Sequence, residues 1–286
     1  GLTVFGLSAK IVVAQEGQVL KVVNPNFAQD WSPLRGGGVP YRWNSAWWAS
    51  PMRFDSQGKI HPYVFASWET NTDSTVWTFK IDPAAKFSDG SAITAADIKG
   101  SWELSAMPAT TNQRVAQVLA GVVGYAEVTG GTAVELTGVA TPDDATVVVT
   151  LGAADPIFFM RLANHIAPIT KVSQSRGADG NENPDWYMPG SVIVSGPFKP
   201  TTIDLDGGKL VFEPNENFFV AKPKLARIEI TSFEDNVTAT QLIKSGEFNA
   251  HTELVTSTMV QDLGPEFGDG PQIPTSQHFW FNATRA

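Results

Sequence analysis

Two neighbouring segments with different hydrophobic periods constrain the fold of this chain most strongly. In the first segment, Thr75–Ile81, every second residue is large and apolar: Trp77, Phe79 and Ile81. A period of two predicts a β-strand with one buried face. The second segment begins at Thr94, where Asp97 three residues later gives the pattern of a capped helix start. Ile98 and Trp102, four residues apart, then predict one apolar helix face.

The remaining segments predict hairpins and isolated helices. Further strands are predicted at Val19–Val23, Thr146–Leu151, Val192–Val194, Lys209–Phe212 and Arg227–Thr231. The turn Asp206-Gly207-Gly208 is predicted to join the strand at Val192–Val194 to the strand at Lys209–Phe212. A helix is predicted at Asn236–Ser245, with Gly246 as its left-handed end. Because these elements do not form a repeating strand–helix series, the predicted fold class is α/β of the mixed α+β kind.

Composition and charge exclude several classes of protein. Of 286 residues, 42% are hydrophobic and 17% are charged, which is enough apolar material for two compact units or for one unit with a large insertion. The net charge of -9 and the scattering of the 20 basic residues argue against a nucleic-acid partner. The absence of cysteine removes disulfides, thiolate nucleophiles and cysteine-based metal sites.

The first residues have the character of an export signal. Leu2–Ala9 is a short apolar run, and the small residues that a signal peptidase requires follow at Val12-Val13-Ala14. Residues 1–15 are therefore interpreted as a signal-peptide remnant, with a first β-strand as the alternative. No other segment approaches the run of about 20 apolar residues that spans a bilayer. The prediction is an exported protein, either periplasmic or anchored at the cell surface.

Motifs of common catalytic centres are missing from the sequence. It has no Gly-x-Ser-x-Gly elbow, no phosphate-binding Gly-x-x-x-x-Gly-Lys loop and no His-Glu-x-x-His pair. The four histidines lie far apart in the chain: His61, His165, His251 and His278. We therefore predict that the protein is not an enzyme and that it carries no metal site and no cofactor.

Several family motifs follow one another along the chain. They are Gly58–Glu69 with its Ser67-Trp68 pair, Trp77-Thr78-Phe79-Lys80-Ile81, Lys86-Phe87-Ser88-Asp89-Gly90-Ser91, Ile93–Ile98, Ser195-Gly196-Pro197-Phe198-Lys199, Ser245–Asn249 and Phe279-Trp280-Phe281-Asn282. In order and spacing they resemble the bacterial extracellular solute-binding proteins of the dipeptide, oligopeptide and nickel type (family 5), which serve ABC importers. The resemblance covers nearly the whole chain.

The resemblance implies a particular architecture. The fold is expected to be a periplasmic-binding-protein-like first lobe with an inserted subdomain, and the second lobe is expected to be missing from this chain. Residues 16–45 and 186–286 would form the first lobe, and residues 46–185 the insertion. Family members hold their solute in a cleft between two lobes that close around it.

The resemblance also implies which residues face the ligand. The loop after the first strand places Gly37, Gly38 and Val39 at the cleft, with Trp31 and Tyr41 as neighbours. Other positions facing the cleft are Thr252, Glu253, His278 and Trp280. Loop tryptophans such as Trp31, Trp43 and Trp47 offer large rigid faces of the kind that line binding clefts.

The implied function is capture of a peptide and its delivery, by a monomeric binding protein, to ABC permease subunits in the membrane. An oligosaccharide ligand is an alternative, because tryptophan faces suit sugar rings. Nickel is disfavoured, because the histidines are not clustered. A secreted carbohydrate-active enzyme is the alternative from a different class, and it would need two carboxylates placed across a glycosidic bond.

Overall fold

The computed structural model describes residues 17–24, 31–35, 40–55, 57–233, 235–251 and 261–262. The strands in these ranges are β1 (Val19–Asn24), β2 (Met52–Phe54), β3 (Ile60–Pro62), β4 (Phe65–Thr70), β5 (Val76–Ile81), β6 (Val139–Asp143), β7 (Thr146–Thr150), β8 (Phe198–Asp204), β9 (Lys209–Pro214), β10 (Arg227–Ser232) and β11 (Ala250–His251). The α-helices are α1 (Pro40–Trp47), α2 (Ala95–Ala106), α3 (Ala116–Leu119), α4 (Tyr125–Thr129), α5 (Phe158–Arg161), α6 (Val172–Ser175) and α7 (Asn236–Lys244). The predicted signal-peptide remnant, residues 1–15, lies outside the described residues.

A five-stranded sheet joins the two ends of the described chain. Its strand order is β11-β1-β10-β9-β8. The first three strands run parallel, and Val22 of β1 pairs with Ile230 on one side and with Ala250 on the other. Strand β9 is antiparallel to both of its neighbours, β10 and β8. The first described strand is therefore an interior strand of a sheet whose other four strands all come from beyond residue 197.

A second sheet, β4-β5-β7-β6, is antiparallel and belongs to the middle of the chain. The predicted alternation in β5 is confirmed, because Trp77, Phe79 and Ile81 are all buried. The ring of Phe79 stacks on that of Phe65 in β4, with 4.6 Å between the ring centroids. This sheet and helix α2, which packs on β6 and β7, form the unit that we call the antiparallel subdomain.

Helix α2 begins with the predicted capping box. The Asp97 amide donates to Thr94 Oγ1 at 3.2 Å, and the Thr94 amide donates to Asp97 Oδ2 at 3.1 Å. These two bonds satisfy amide groups that the helix start leaves without partners. The predicted apolar face, Ile98 and Trp102, is completely buried.

A tight joint connects α1 to the segment that leads into β8. The Gly196 amide donates to the Trp47 carbonyl at 3.0 Å, and Ser195 Oγ accepts from the Ala49 amide at 2.8 Å. A Cβ atom at Gly196 would lie 2.5 Å from the carbonyl carbon of Trp47, so only glycine allows this approach. The predicted lobe boundaries stay a prediction, and one continuous hydrophobic cluster runs through both sheets.

The strand predicted at Val192–Val194 is wrong. The Val194 carbonyl accepts from the Ser88 amide at 2.8 Å, and the Ile193 amide donates to Gln174 Oε1 at 2.9 Å. These backbone groups are therefore satisfied by a turn and a side chain instead of a strand ladder. The hairpin that closes through Gly207 and Gly208 uses β8 as its first strand. Pro200 weakens the strand signal of β8, and it is tolerated there because β8 lies at the edge of its sheet.

Candidate functional site

The candidate site lies at the edge where three parallel strands end. Strands β11, β1 and β10 run in the same direction, so their last residues lie at one edge of the sheet. Val23 pairs with His251, and Asn24 pairs with Ser232. We call this row of strand ends, Asn24, Ser232 and His251, the parallel edge. In open α/β sheets, ligands bind outside the carboxyl ends of parallel strands.

Two of the predicted binding segments follow, in the chain, the strands β1 and β11, whose last described residues lie at the parallel edge. The chain that follows β1 leads through residues 31–35 to helix α1, and the chain that follows β11 continues into Thr252 and Glu253. The two segments are more than 200 residues apart in sequence, but the strands that carry them are hydrogen-bonded neighbours. The topology therefore brings the starting points of both segments together.

Most of the predicted ligand-facing residues fall outside the described part of the chain. These are Gly37, Gly38, Val39, Thr252, Glu253, His278 and Trp280. Their role stays a prediction, as does the strand predicted at His278–Asn282. Tyr41 lies in the first turn of α1, and its side chain is outside the described part.

The tryptophans near the predicted loop are core residues in this structure. Trp31 and Trp47 have no exposed surface, and Trp48 exposes 1%. The ring of Trp48 lies between Trp47 and Trp186, with centroid distances of 5.3 Å and 5.2 Å. Trp43 is half-buried and packs against the same cluster. This part of the chain therefore rests on a dense aromatic layer, and the predicted role of Trp31 beside a ligand stays untested.

Long-range hydrogen bonds fix the first part of the predicted loop. Asn112 Nδ2 donates to the Leu34 carbonyl at 2.7 Å, and Asn44 Nδ2 donates to the Pro33 carbonyl at 3.3 Å. Arg35 Nε donates to Glu182 Oε2 at 2.8 Å. No local sequence pattern points to these partners, because Asn112 and Glu182 are 78 and 147 residues away from the groups that they bind. Sequence reasoning therefore missed them.

Three titratable side chains with shifted pKa values, Asp55, Asp89 and His165, support the fold. A hydrogen bond from His61 is the largest cause that lowers the pKa of Asp55 to about 2. Burial raises the pKa of Asp89, but bonds from Lys171 and Ser91 outweigh burial and lower the pKa to about 2. Burial lowers the pKa of His165 to about 4, so this imidazole is neutral at neutral pH. Each shift is explained by local packing or by a turn, so none requires a catalytic role.

Metal binding and membrane crossing can both be judged from the described part of the chain. Within it, no group of three or more His, Asp or Glu side chains could hold a metal ion. None of its helices combines the length and the apolar character that crossing a bilayer requires.

Comparison with solved structures shows a periplasmic-binding-protein fold. The murein tripeptide binding protein MppA of Escherichia coli superposes with a TM-score of 0.73 at 24% identity, over 82% of this chain and 46% of MppA. OppA of Haemophilus influenzae, solved in complex with the peptide RPPGFSPFR, gives a TM-score of 0.71 at 22% identity, over 82% of this chain and 46% of OppA. The predicted fold class is therefore confirmed.

Sequence comparison defines the family. The model of the bacterial extracellular solute-binding proteins, family 5 Middle, matches residues 59–285. The periplasmic oligopeptide-binding protein OppA of Escherichia coli K12 is 28% identical over 220 residues, which are 75% of this chain and 39% of OppA. This chain belongs to the bacterial extracellular solute-binding proteins, family 5. It is thus one of a class of extracytoplasmic binding proteins, not of enzymes, and it spans less than half the length of the curated relatives named here.

Proposed function

We propose that this protein is the substrate-binding component of an ABC importer, that it captures a peptide at the parallel edge as a monomer, and that it delivers the peptide to membrane permease subunits. One observation carries the proposal: two of the predicted binding segments follow directly in the chain after neighbouring parallel strands, β1 and β11. The names of the relatives agree with a peptide, since OppA of Escherichia coli is named an oligopeptide-binding protein.

The chemistry of the predicted loop suits a ligand recognised through its main chain. Gly36, Gly37 and Gly38 carry no side chains, so another backbone can approach them closely. Main-chain donors and acceptors bind any peptide backbone, whatever its side chains are. Closing a second lobe over such a site buries most of the ligand surface, which supplies affinity without strict selection of sequence.

The structure weakens the oligosaccharide alternative. That alternative depended on faces of Trp31, Trp43 and Trp47 that are free to stack on sugar rings, but Trp31 and Trp47 are enclosed in the core and Trp43 is half-buried. Carbohydrate hydrolysis is also a poor fit to a family of solute-binding proteins.

Native mass spectrometry of the protein, purified without denaturants, tests the proposal directly. We expect bound masses of short peptides, and we expect added tri-alanine to bind and to be recovered intact. Maltotetraose serves as the carbohydrate control and should not bind. The variant Glu253→Gln should bind tri-alanine more weakly than the original protein. Neither the variant nor the original protein should hydrolyse tri-alanine. Sugar masses, or a protein that ignores every peptide offered, would contradict a peptide ligand.

A further inference from the structure

A buried carboxylate ties down the segment between the first strand and the first helix. Glu182 exposes only 4% of its side chain. Its Oε1 accepts a hydrogen bond from Ser32 Oγ and a bond of 2.9 Å from Trp186 Nε1. Its Oε2 accepts from Arg35 Nε at 2.8 Å. One carboxylate thus uses its two oxygens to hold two residues of the same five-residue segment.

The tethered segment, residues 31–35, is the part of the loop that enters the glycine-rich stretch. Its backbone carbonyls at Pro33 and Leu34 are held by Asn44 and Asn112. Helix α1 begins at Pro40 on the other side of the glycines and ends at the Gly196 joint. Both ends of the predicted ligand loop are therefore fixed to the folded body. At the first end, Arg35 forms an ion pair with Glu182.

A carboxylate buried at the position of Glu182 costs free energy unless hydrogen bonds to its oxygens compensate for the lost water. Burying a carboxylate is unfavourable, and removing one member of a buried pair leaves an uncompensated charge. A glutamine of the same size has one acceptor oxygen and a donor amide, so it cannot accept from Ser32, Trp186 and Arg35 in the same way. The Glu182 carboxylate therefore holds residues 31–35 in a fixed position.

We propose that Glu182 is a positioning residue for ligand binding, acting through Ser32 and Arg35 on the loop that follows β1. The inference rests on the proposed function for its effect on affinity, but its effect on the loop can be measured without any ligand. Holding the ends of a binding loop in place lowers the ordering cost that binding must overcome.

The test compares Glu182→Gln with Glu213→Gln, a matched change at an exposed position of β9. Hydrogen exchange is measured for residues 31–39 and for α2 in the absence of ligand, and tri-alanine affinity is measured well below the unfolding temperature. We expect Glu182→Gln to speed exchange about tenfold or more in residues 31–39 only, and to weaken tri-alanine binding about tenfold. The Glu213→Gln variant should match the original protein in both measurements.

A second variant, Arg35→Gln, keeps the test decisive if Glu182→Gln folds poorly, because the Arg35 side chain is 38% exposed. Arg35→Gln should also speed exchange in residues 31–39. The double variant should exchange no faster there than Glu182→Gln alone, because both changes break the same Arg35–Glu182 ion pair. Unchanged exchange in residues 31–39, or faster exchange that extends equally to α2, overturns the positioning role. If the original protein binds no peptide, the proposed function fails, while the exchange data still decide the role of Glu182.

Discussion

The antiparallel subdomain and the parallel edge are built in different ways. In the subdomain, the Thr94–Asp97 cap joins residues three apart, and the pairing of β5 with β7 joins Lys80 to Thr146, 66 residues away. At the parallel edge and the loop beside it, the contacts are more remote. The Lys21 amide bonds to Asn249 across 228 residues, and Ser32 bonds to Glu182 across 150.

This difference separates the part of the chain that gives the fold its framework from the part proposed to bind. Local motifs such as Ser88–Ser91 and Thr94–Asp97 identify the family, and in this structure they serve as turns and caps. The proposed binding region depends on distant parts of the chain that are held together by strand pairing and by side-chain hydrogen bonds. The two regions should therefore respond differently to mutation, with stability lost in the first and affinity lost in the second.

Truncation of the subdomain core should have the largest effect on stability. Phe79 is completely buried and stacks on Phe65, so Phe79→Ala leaves a cavity as well as losing the transfer free energy of the ring. We expect a loss of about 3–5 kcal/mol in the free energy of unfolding, measured by urea denaturation. Val134→Ala is the control, because Val134 is 67% exposed, and it should change little. A loss below about 1 kcal/mol for Phe79→Ala would show that the subdomain core is not packed as described.

The joint between α1 and the segment before β8 should be the next most sensitive place. Gly196→Ala would bring a methyl group to within 2.6 Å of the Trp48 amide nitrogen and must push α1 away from the segment before β8. We expect a loss of about 1–3 kcal/mol in the free energy of unfolding. Gly121→Ala, where a Cβ atom meets nothing within 4 Å, should cost less than about 0.5 kcal/mol. Equal effects at the two glycines would argue against the close approach at Gly196.

Loss of the α2 cap should cost less than either change. Thr94→Ala removes the acceptor for the Asp97 amide, and the expected loss is about 1 kcal/mol in the free energy of unfolding. Thr94→Ser keeps a hydroxyl at the same place and should recover most of that loss. Peptide binding should be unchanged in both variants, because the cap belongs to the subdomain. A serine variant as unstable as the alanine variant would mean that the hydroxyl is not what matters.

The smallest effect should be the pH dependence contributed by Asp89. Its pKa is lowered from 3.8 to about 2 in the folded protein, so its contribution is complete above about pH 4 and is lost as the pH falls towards about 2. Because the Asp89 carboxylate is partly exposed, we expect this contribution to be about 1 kcal/mol or less. Asp89→Asn should remove it, leaving a flatter dependence of the free energy of unfolding on pH between about 4 and 2. A variant whose pH dependence equals that of the original protein would contradict the ion pair with Lys171.

The same contrast explains what the sequence predicted. Strand β5 and the α2 cap follow from patterns within a few residues, so periodicity and cap chemistry predicted them correctly. Helix α1 was not predicted: Trp43 and Trp47 are four residues apart, but the short segment follows a stretch rich in glycine and proline, and its C-terminal end is fixed by distant Gly196. The candidate site depends on which strands become neighbours, and neither Glu182 nor Asn112 has a local signal that links it to the loop.

Hydrogen exchange with and without tri-alanine is the most direct test of a peptide site at the parallel edge. It compares the parallel edge with the antiparallel subdomain in one experiment. We expect bound tri-alanine to slow exchange in residues 25–41 and 250–262 and to leave the β5 and α2 amides unchanged. Protection confined to the antiparallel subdomain, in the presence of confirmed binding, would contradict the placement of the site at the parallel edge.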